Sequence, residues 1–413
     1  MPKAPLVRRI FKIFTGFMTL GVLAVAALFL ALWLDHRTGT TLPTPTGPFA
    51  IGRAIYDWTD DLTLDPLAPV PGTRRELLVW IWYPSVVHQS AAPVDDYLPA
   101  PLRTAVDRSS GVVLSKFLTR DRAKVHVYCT RNPDVSPQQR SYPVVIMRAA
   151  ASAEVWNYST LAEDLASHGY IVVGFDAPYR THVVVFPDGR VMERLPQNNP
   201  ELCLEITGDK QASCVNKLLT AWTSDIAFVL DRLERLNASD SSGKFTGRLD
   251  MARVGVFGHS LGGAVALQFC SEDSRCKAAI DVDGAPHGSV IHTGFDRPAM
   301  VVLSDHGRES DPESTQILAK IRSIYDHLPP EGRAFIEIHG ANHFLFSDDG
   351  ALLKSHLVVG TLRKLGILGI DGRRQLEVTS YCLRTFFDAY LKRASGSPPK
   401  FVSSLYPEIR VLE

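Results

Sequence analysis

The chain alternates short β-branched and aromatic runs with stretches of helical periodicity, and an uncharged apolar run precedes them all. Arg75 to Pro84 is rich in aromatic and β-branched residues and stops at a proline, which predicts a strand. Tyr142 to Met147 predicts the next one. Tyr158 to His168 then has helical spacing and ends at Gly169, and Tyr170 to Asp176 reads as a fully buried strand. Strand, helix, strand implies parallel pairing. Val183 to Met192, broken at Asp188-Gly189, predicts a small hairpin outside the main sheet. Leu219, Trp222, Ile226, Val229, Leu230 and Leu233 share one helical face, so a helix over 216–236 packs on the sheet with Trp222 in the core. Lys277 to Val282, Ala299 to Leu303 and Ala334 to Ile338 predict three further strands, and an amphipathic helix from about Arg374 to Lys392 closes the sheet. Residues 86–139 carry Pro and Asp clusters around Gly111 to Leu118. They predict a helix packed on the sheet, with a substrate-facing cover or a membrane-touching helix as the alternatives. The whole predicts an α/β protein with one catalytic domain over 49–396 and a tail over 397–413.

The N-terminal run changes this picture. Lys3, Arg8, Arg9 and Lys12 precede Ile13 to Leu34, which carries no charge. At 1.5 Å per residue a helix of this length spans a hydrocarbon core of about 30 Å. Residues 1–35 therefore predict a transmembrane signal anchor, and the basic residues hold the N-terminus in the cytoplasm, which puts the catalytic part outside. A secretory signal is the competing reading, but Leu34-Asp35-His36-Arg37 offers no small-residue cleavage site. Residues 36–48 turn to Thr, Pro and Gly and predict an extended linker. Lys plus Arg equal Asp plus Glu at 44 each, so no net field draws a nucleic acid. Six cysteines allow disulfides outside the cytoplasm, with Cys203–Cys214 and Cys270–Cys276 as the pairs close in sequence and free buried thiols as the alternative. They show no metal spacing. Asn157-Tyr158-Ser159 and Asn237-Ala238-Ser239 match glycosylation sequons.

The chemistry gathers at Val254 to Leu267. A short apolar run meets Gly258-His259-Ser260-Leu261-Gly262, and a small-residue helical pattern follows. A serine hydroxyl is a weak nucleophile that must be held on a sharp turn within reach of a base. Glycines two places to either side let strand and helix close around Ser260, and the helix start offers the Leu261 amide as an oxyanion donor. The second donor is expected from the loop Arg148-Ala149-Ala150-Ala151-Ser152, at Ala150 or Ala151. A serine needs a base and the base a carboxylate. Of the 13 histidines, His343 follows a strand within Gly340-Ala341-Asn342-His343-Phe344, at the sheet edge where such groups emerge. His339 reads as structural, and His259 is expected to point elsewhere. Two carboxylates compete. Asp283 ends the strand after the elbow helix, and Asp305 ends the next; Asp281, on the face of Asp283 but farther from the strand's end, is the weaker choice.

Gly258-His259-Ser260-Leu261-Gly262-Gly263, Asp281-Val282-Asp283-Gly284 and Gly340-Ala341-Asn342-His343 resemble plasma-type platelet-activating factor acetylhydrolases. Thr46-Gly47-Pro48-Phe49, Leu165-Ala166-Ser167-His168-Gly169 and Asp225 to Asp231 extend the likeness over most of residues 46–394. The resemblance implies an α/β-hydrolase fold and calcium-independent cleavage of short or oxidised sn-2 acyl chains from phospholipids. It also implies that the acid is Asp283. The chain departs from the family at Arg148 to Ser152, where the family carries His-Gly-x-Gly. The expectation is a membrane-anchored ester hydrolase with Ser260, His343 and Asp283 as triad and the Leu261 and Ala151 amides as oxyanion hole. It needs no metal or organic cofactor and takes a lipid or small ester. A general carboxylesterase or dienelactone-type hydrolase, and a non-catalytic binding protein, are the alternatives.

Overall fold

The aromatic run at Arg75 to Pro84 lies inside the sheet. The computed structural model describes residues 4–86, 94–151, 153–206, 208–305, 312–353, 356–366, 369–392, 399–401 and 404–412. Its strands in chain order are β1 (Thr40–Thr41), β2 (Ala50–Leu64), β3 (Arg74–Ser85), β4 (Val94–Asp96), β5 (Val125–Arg131), β6 (Tyr142–Arg148) and β7 (Ile171–Asp176). They continue with β8 (Val183–Val185), β9 (Val191–Glu193), β10 (Leu249–His259), β11 (Cys276–Val282), β12 (Ala299–Leu303), β13 (Arg333–Ile338) and β14 (Ile409–Val411). Among the described residues one sheet runs β1-β5-β2-β3-β7-β6-β10-β11-β12-β13-β14, with β4 on β5. Every pairing from β7 through β13 is parallel. Parallel neighbours need crossovers, and helices Ser159–Ser167, Leu261–Glu272 and Pro312–His327 supply three of them. This mostly parallel sheet with helices on both faces is consistent with an α/β-hydrolase fold.

Alternation along the strands divides the core in two. Trp80, Trp82, Val145, Met147 and Phe257 face one side, with Leu161 and Leu165 and then Leu376, Leu383 and Phe386 packed on them. Val79, Ile81, Val144, Ile146 and Val256 face the other, covered by Leu219, Trp222, Ile226 and Leu233 and by Val265 and Leu267 of the helix after the elbow. Because both faces are buried, the strands read as continuous apolar runs. The expected hairpin is β8–β9, a separate antiparallel ribbon. It is tied to the domain by Arg180, whose guanidinium bonds Asp65 at 2.7 Å and Asp225 at 2.7 and 2.8 Å in full burial.

Several expectations need correction. The segment over 36–48 is not loose: Thr40–Thr41 pair with Val125 and His126, Leu42 is 1% exposed, and the Thr46 amide and hydroxyl both bond Asp164 at 2.8 Å. Extended backbone poor in apolar side chains still carries a full set of N–H and C=O groups, and an edge strand satisfies them. The tail over 397–413 likewise returns as β14, antiparallel to β13. Asn157 is buried, and its side chain accepts from the Glu154 amide, so that sequon is not open to a glycan. The cysteines, by contrast, follow the expected pairing: Cys203–Cys214 and Cys270–Cys276 are disulfides, and Cys129 and Cys382 are buried thiols.

The N-terminal helix runs Ala4–His36, and its stretch Phe11–His36 is long and apolar enough to cross a membrane. Its C-terminal turns are docked on the domain. The Phe29 ring meets Phe117 edge-on at 5.1 Å, His36 Nδ1 lies 2.9 Å from the Thr119 carbonyl, and Arg120 pairs with Asp35 at 2.8 Å. The uncertain segment over 86–139 thus splits. Helix Ala100–Ser109 buries Leu102 and Val106 against the sheet, whereas Gly111 to Leu118 lies along the N-terminal helix with Val112 and Val113 exposed.

Candidate active site

β10 ends at His259 and the next helix starts at Leu261, so Ser260 carries the whole change of direction. Its backbone sits at φ 55°, ψ −127°, a region that costs a non-glycine residue about 1 to 3 kcal/mol. The surroundings enforce it. A Cβ on Gly258 would come within 2.2 Å of the Gly262 carbonyl, and one on Gly262 within 2.5 Å of the Ala149 oxygen. The Ser260 amide is pinned to the Val282 carbonyl at 2.8 Å. Gly262 also lets the loop after β6 approach the start of the elbow helix, whose first amides have no partner within the helix.

Asp283 follows β11 in a second strained conformation, φ 56°, with its amide on the Val302 carbonyl at 2.7 Å. Its side chain is 1% exposed. Oδ1 accepts from the Ser304 amide at 2.8 Å, and Oδ2 accepts from the Ser304 hydroxyl at 2.6 Å and meets His343 Nδ1 at 2.8 Å. A carboxylate on Nδ1 makes that nitrogen the donor and leaves Nε2 as the base. The His343 loop is itself held from behind, where Asp348 accepts from the Ser159 and Thr160 amides at 3.1 Å and from the Tyr97 hydroxyl at 3.0 Å. Ser260 and His343 line one cavity of about 170 Å³, walled by Leu303, Ser314, Ile317 and Leu318.

Of the two candidate acids, Asp283 is the one that meets His343. Asp305 instead accepts from His339 Nδ1 at 2.7 Å and from the Gly340 amide at 2.8 Å, shaping the turn that leads to His343. Asp281 is fully buried, accepts the Gly284 amide at 2.9 Å, and is pushed up to about 8 by burial, so it braces the turn as a neutral acid. Among the described residues Asp305, Glu337 and His339 have donor atoms close enough for a metal ion. Asp305 and His339 are already bonded to each other, and Glu337 is bonded to Arg410 at 3.1 Å.

His259 does not point elsewhere. Its ring centroid lies 4.7 Å from that of His343, and its Nδ1 is 2.8 Å from the Tyr158 hydroxyl, which also accepts from the Ala150 amide at 3.1 Å. Burial, and then the nearby His343, push its imidazole down to about 3 and keep it neutral. Strand alternation placed it with Phe257, but nothing in the sequence told which loop covers that face. The Ala150 amide is thereby committed to Tyr158. Arg148 turns away from the site: it lies over the Phe175 ring at 4.2 Å and donates to the Phe175 carbonyl at 2.9 Å.

The model of the family described as platelet-activating factor acetylhydrolase, isoform II, matches residues 35–393. The chain belongs to this family. A relative in Arthroderma benhamiae, named a probable 1-alkyl-2-acetylglycerophosphocholine esterase, is 24% identical over 90% of this chain and 94% of its own length. The platelet-activating factor acetylhydrolase of Cavia porcellus is 24% identical over 88% of this chain and 80% of its own length. A solved ferulic acid esterase from Streptomyces cinnamoneus superposes with a TM-score of 0.71 at 26% identity, covering 91% of this chain and 100% of that one. With acetylhydrolases and esterases as its relatives, this family member is a carboxylic ester hydrolase.

Proposed function

We propose that this acetylhydrolase family member is a membrane-anchored serine hydrolase that cleaves short or oxidised sn-2 acyl esters of phospholipids without calcium. The observation that carries the reading is the 2.8 Å contact of His343 Nδ1 with buried Asp283, beside a cavity that Ser260 shares. Ser260 Oγ attacks the ester carbonyl as His343 Nε2 takes its proton, and the tetrahedral oxyanion lies against the amides of Leu261 and Ala151. Collapse expels the alcohol, which receives the proton from His343, and water then releases the acid by the same steps. Asp283 holds the ring and stabilises the imidazolium. The apolar wall of Leu303, Ile317 and Leu318 and the small volume suit a short acyl chain. The helix Ala4–His36 spans the membrane with its basic end cytoplasmic, so the domain over 49–396 works outside.

The likeness to a ferulic acid esterase supports a second reading, a general carboxylesterase acting on a soluble ester. One comparison separates the two: hydrolysis of a short-acyl phosphatidylcholine against that of a nitrophenyl ester with the same acyl group. Selective turnover of the phospholipid is expected, and turnover of the nitrophenyl ester alone would favour the carboxylesterase. A fluorophosphonate probe should label Ser260. An unlabelled protein would favour a non-catalytic binding role.

A further inference from the structure

A second cavity, of about 580 Å³, lies beside the Ser260 cavity, and the two share Ala285 and Ile317. Helix Pro312–His327 is the partition. Residues Ser314, Ile317 and Leu318 face the nucleophile, while Gln316 and Lys320, one turn apart, face the second cavity. The wall opposite comes from the loop after β11, with His287 and Ser289, and from the start of helix Gly208–Ala238, with Gln211 and Asn216. Among the described residues the lining shows no carboxylate, and no acidic group pairs with Lys320. The lysine is half-buried, and its ammonium is close enough to His287 to add to the burial that pushes this imidazole down to about 4. His287 is therefore neutral at physiological pH, and the ammonium stands among amide, hydroxyl and imidazole groups that can donate hydrogen bonds.

We infer that this second cavity is an anion subsite, in which Lys320 holds the phosphodiester of a substrate whose ester carbonyl lies at Ser260. The inference rests on the phospholipid reading above and goes beyond it by naming the group that recognises the headgroup. A shared wall of two side chains suits a substrate in which the sn-2 ester and the phosphate are joined through the glycerol backbone. A carboxylate on an ester substrate would meet the same chemistry, so the test must separate the two sources.

The variants are Lys320→Gln, which removes the charge, and Lys320→Arg, which keeps it. For a short-acyl phosphatidylcholine dispersed as monomers, kcat/KM should fall roughly tenfold or more in Lys320→Gln, chiefly through KM, and recover in Lys320→Arg. For nitrophenyl acetate it should change less than about twofold, because no anion is present to bind. Glycerol phosphate should inhibit nitrophenyl acetate hydrolysis by the wild type and lose at least about tenfold in affinity against Lys320→Gln. Equal losses on both esters, or inhibition by glycerol phosphate that ignores the charge at 320, would overturn the subsite. Inhibition by succinate but not by glycerol phosphate would overturn the phosphodiester assignment. Should the wild type leave phosphatidylcholine intact yet bind glycerol phosphate through Lys320, the phospholipid reading would fail while the anion site stood.

Discussion

His259 and His343 lie ring against ring, with centroids 4.7 Å apart, and only one of them reaches a carboxylate. Burial holds His259 neutral at a pKa near 3, and its Nδ1 is taken by Tyr158. An unfolded chain would titrate the same ring near about 6.5, so between these values the unfolded state binds the proton that the folded state refuses. His259 thus favours folding fully above about 6.5, and this contribution drains away as pH falls toward 3. Replacing it by Gln should make stability less sensitive to acid. Urea melts of both proteins at about pH 7 and about pH 4.5 test this: the gap between them should narrow at the lower pH, and a constant gap would rule out His259 as the titrating group.

The two acids should separate sharply. Asp283→Asn removes the acceptor that fixes the His343 tautomer and should lower kcat by about 10⁴, whereas Asp305→Asn, one bond removed from the site through Gly340, should cost far less. Steady-state kinetics on any accepted ester decides it. The reverse order would move the catalytic acid to Asp305.

Arg180 is a structural test case. It is fully buried between Asp65 and Asp225, and Arg75 still reaches Asp225 at 3.2 Å, so Arg180→Met strands mainly Asp65. Leaving a buried carboxylate unpaired should cost about 3 kcal/mol or more. The denaturation midpoint should drop accordingly, and Asp65→Asn should restore part of it. A loss below about 1 kcal/mol would mean that water reaches the site.

The anchor should hold the protein in the membrane fraction after a carbonate wash, and a chain beginning at Thr40 should be soluble and active. That shorter chain loses Phe29 and Asp35, the partners of Phe117 and Arg120, so its Tm should fall by a few degrees. Recovery of a mature protein starting just after Leu34 would instead identify a cleaved signal.

Local chemistry was enough for much of this protein. Continuous apolar runs marked the strands from Tyr142 to Ile338, because both faces of a parallel sheet are buried, and period-3.6 spacing marked the helices over 158–168 and 216–236, whereas helix Pro312–His327 was not read from the sequence. Two glycines flanking Ser260 marked the elbow, since only a missing Cβ permits so close a turn. What depended on long-range packing was not legible. The choice between Asp283 and Asp305 turned on which carboxylate meets a ring 60 residues away, and both ended equivalent strands. His259 looked idle until the fold brought the His343 loop over its face. The stretch over 36–48 looked like a linker because composition reports side chains, whereas its place on the sheet edge is set by backbone hydrogen bonds that any sequence can make. The second cavity is furthest from the sequence, since Ala285, Ile317 and Lys320 acquire a common wall only when a helix and a loop from different crossovers pack together.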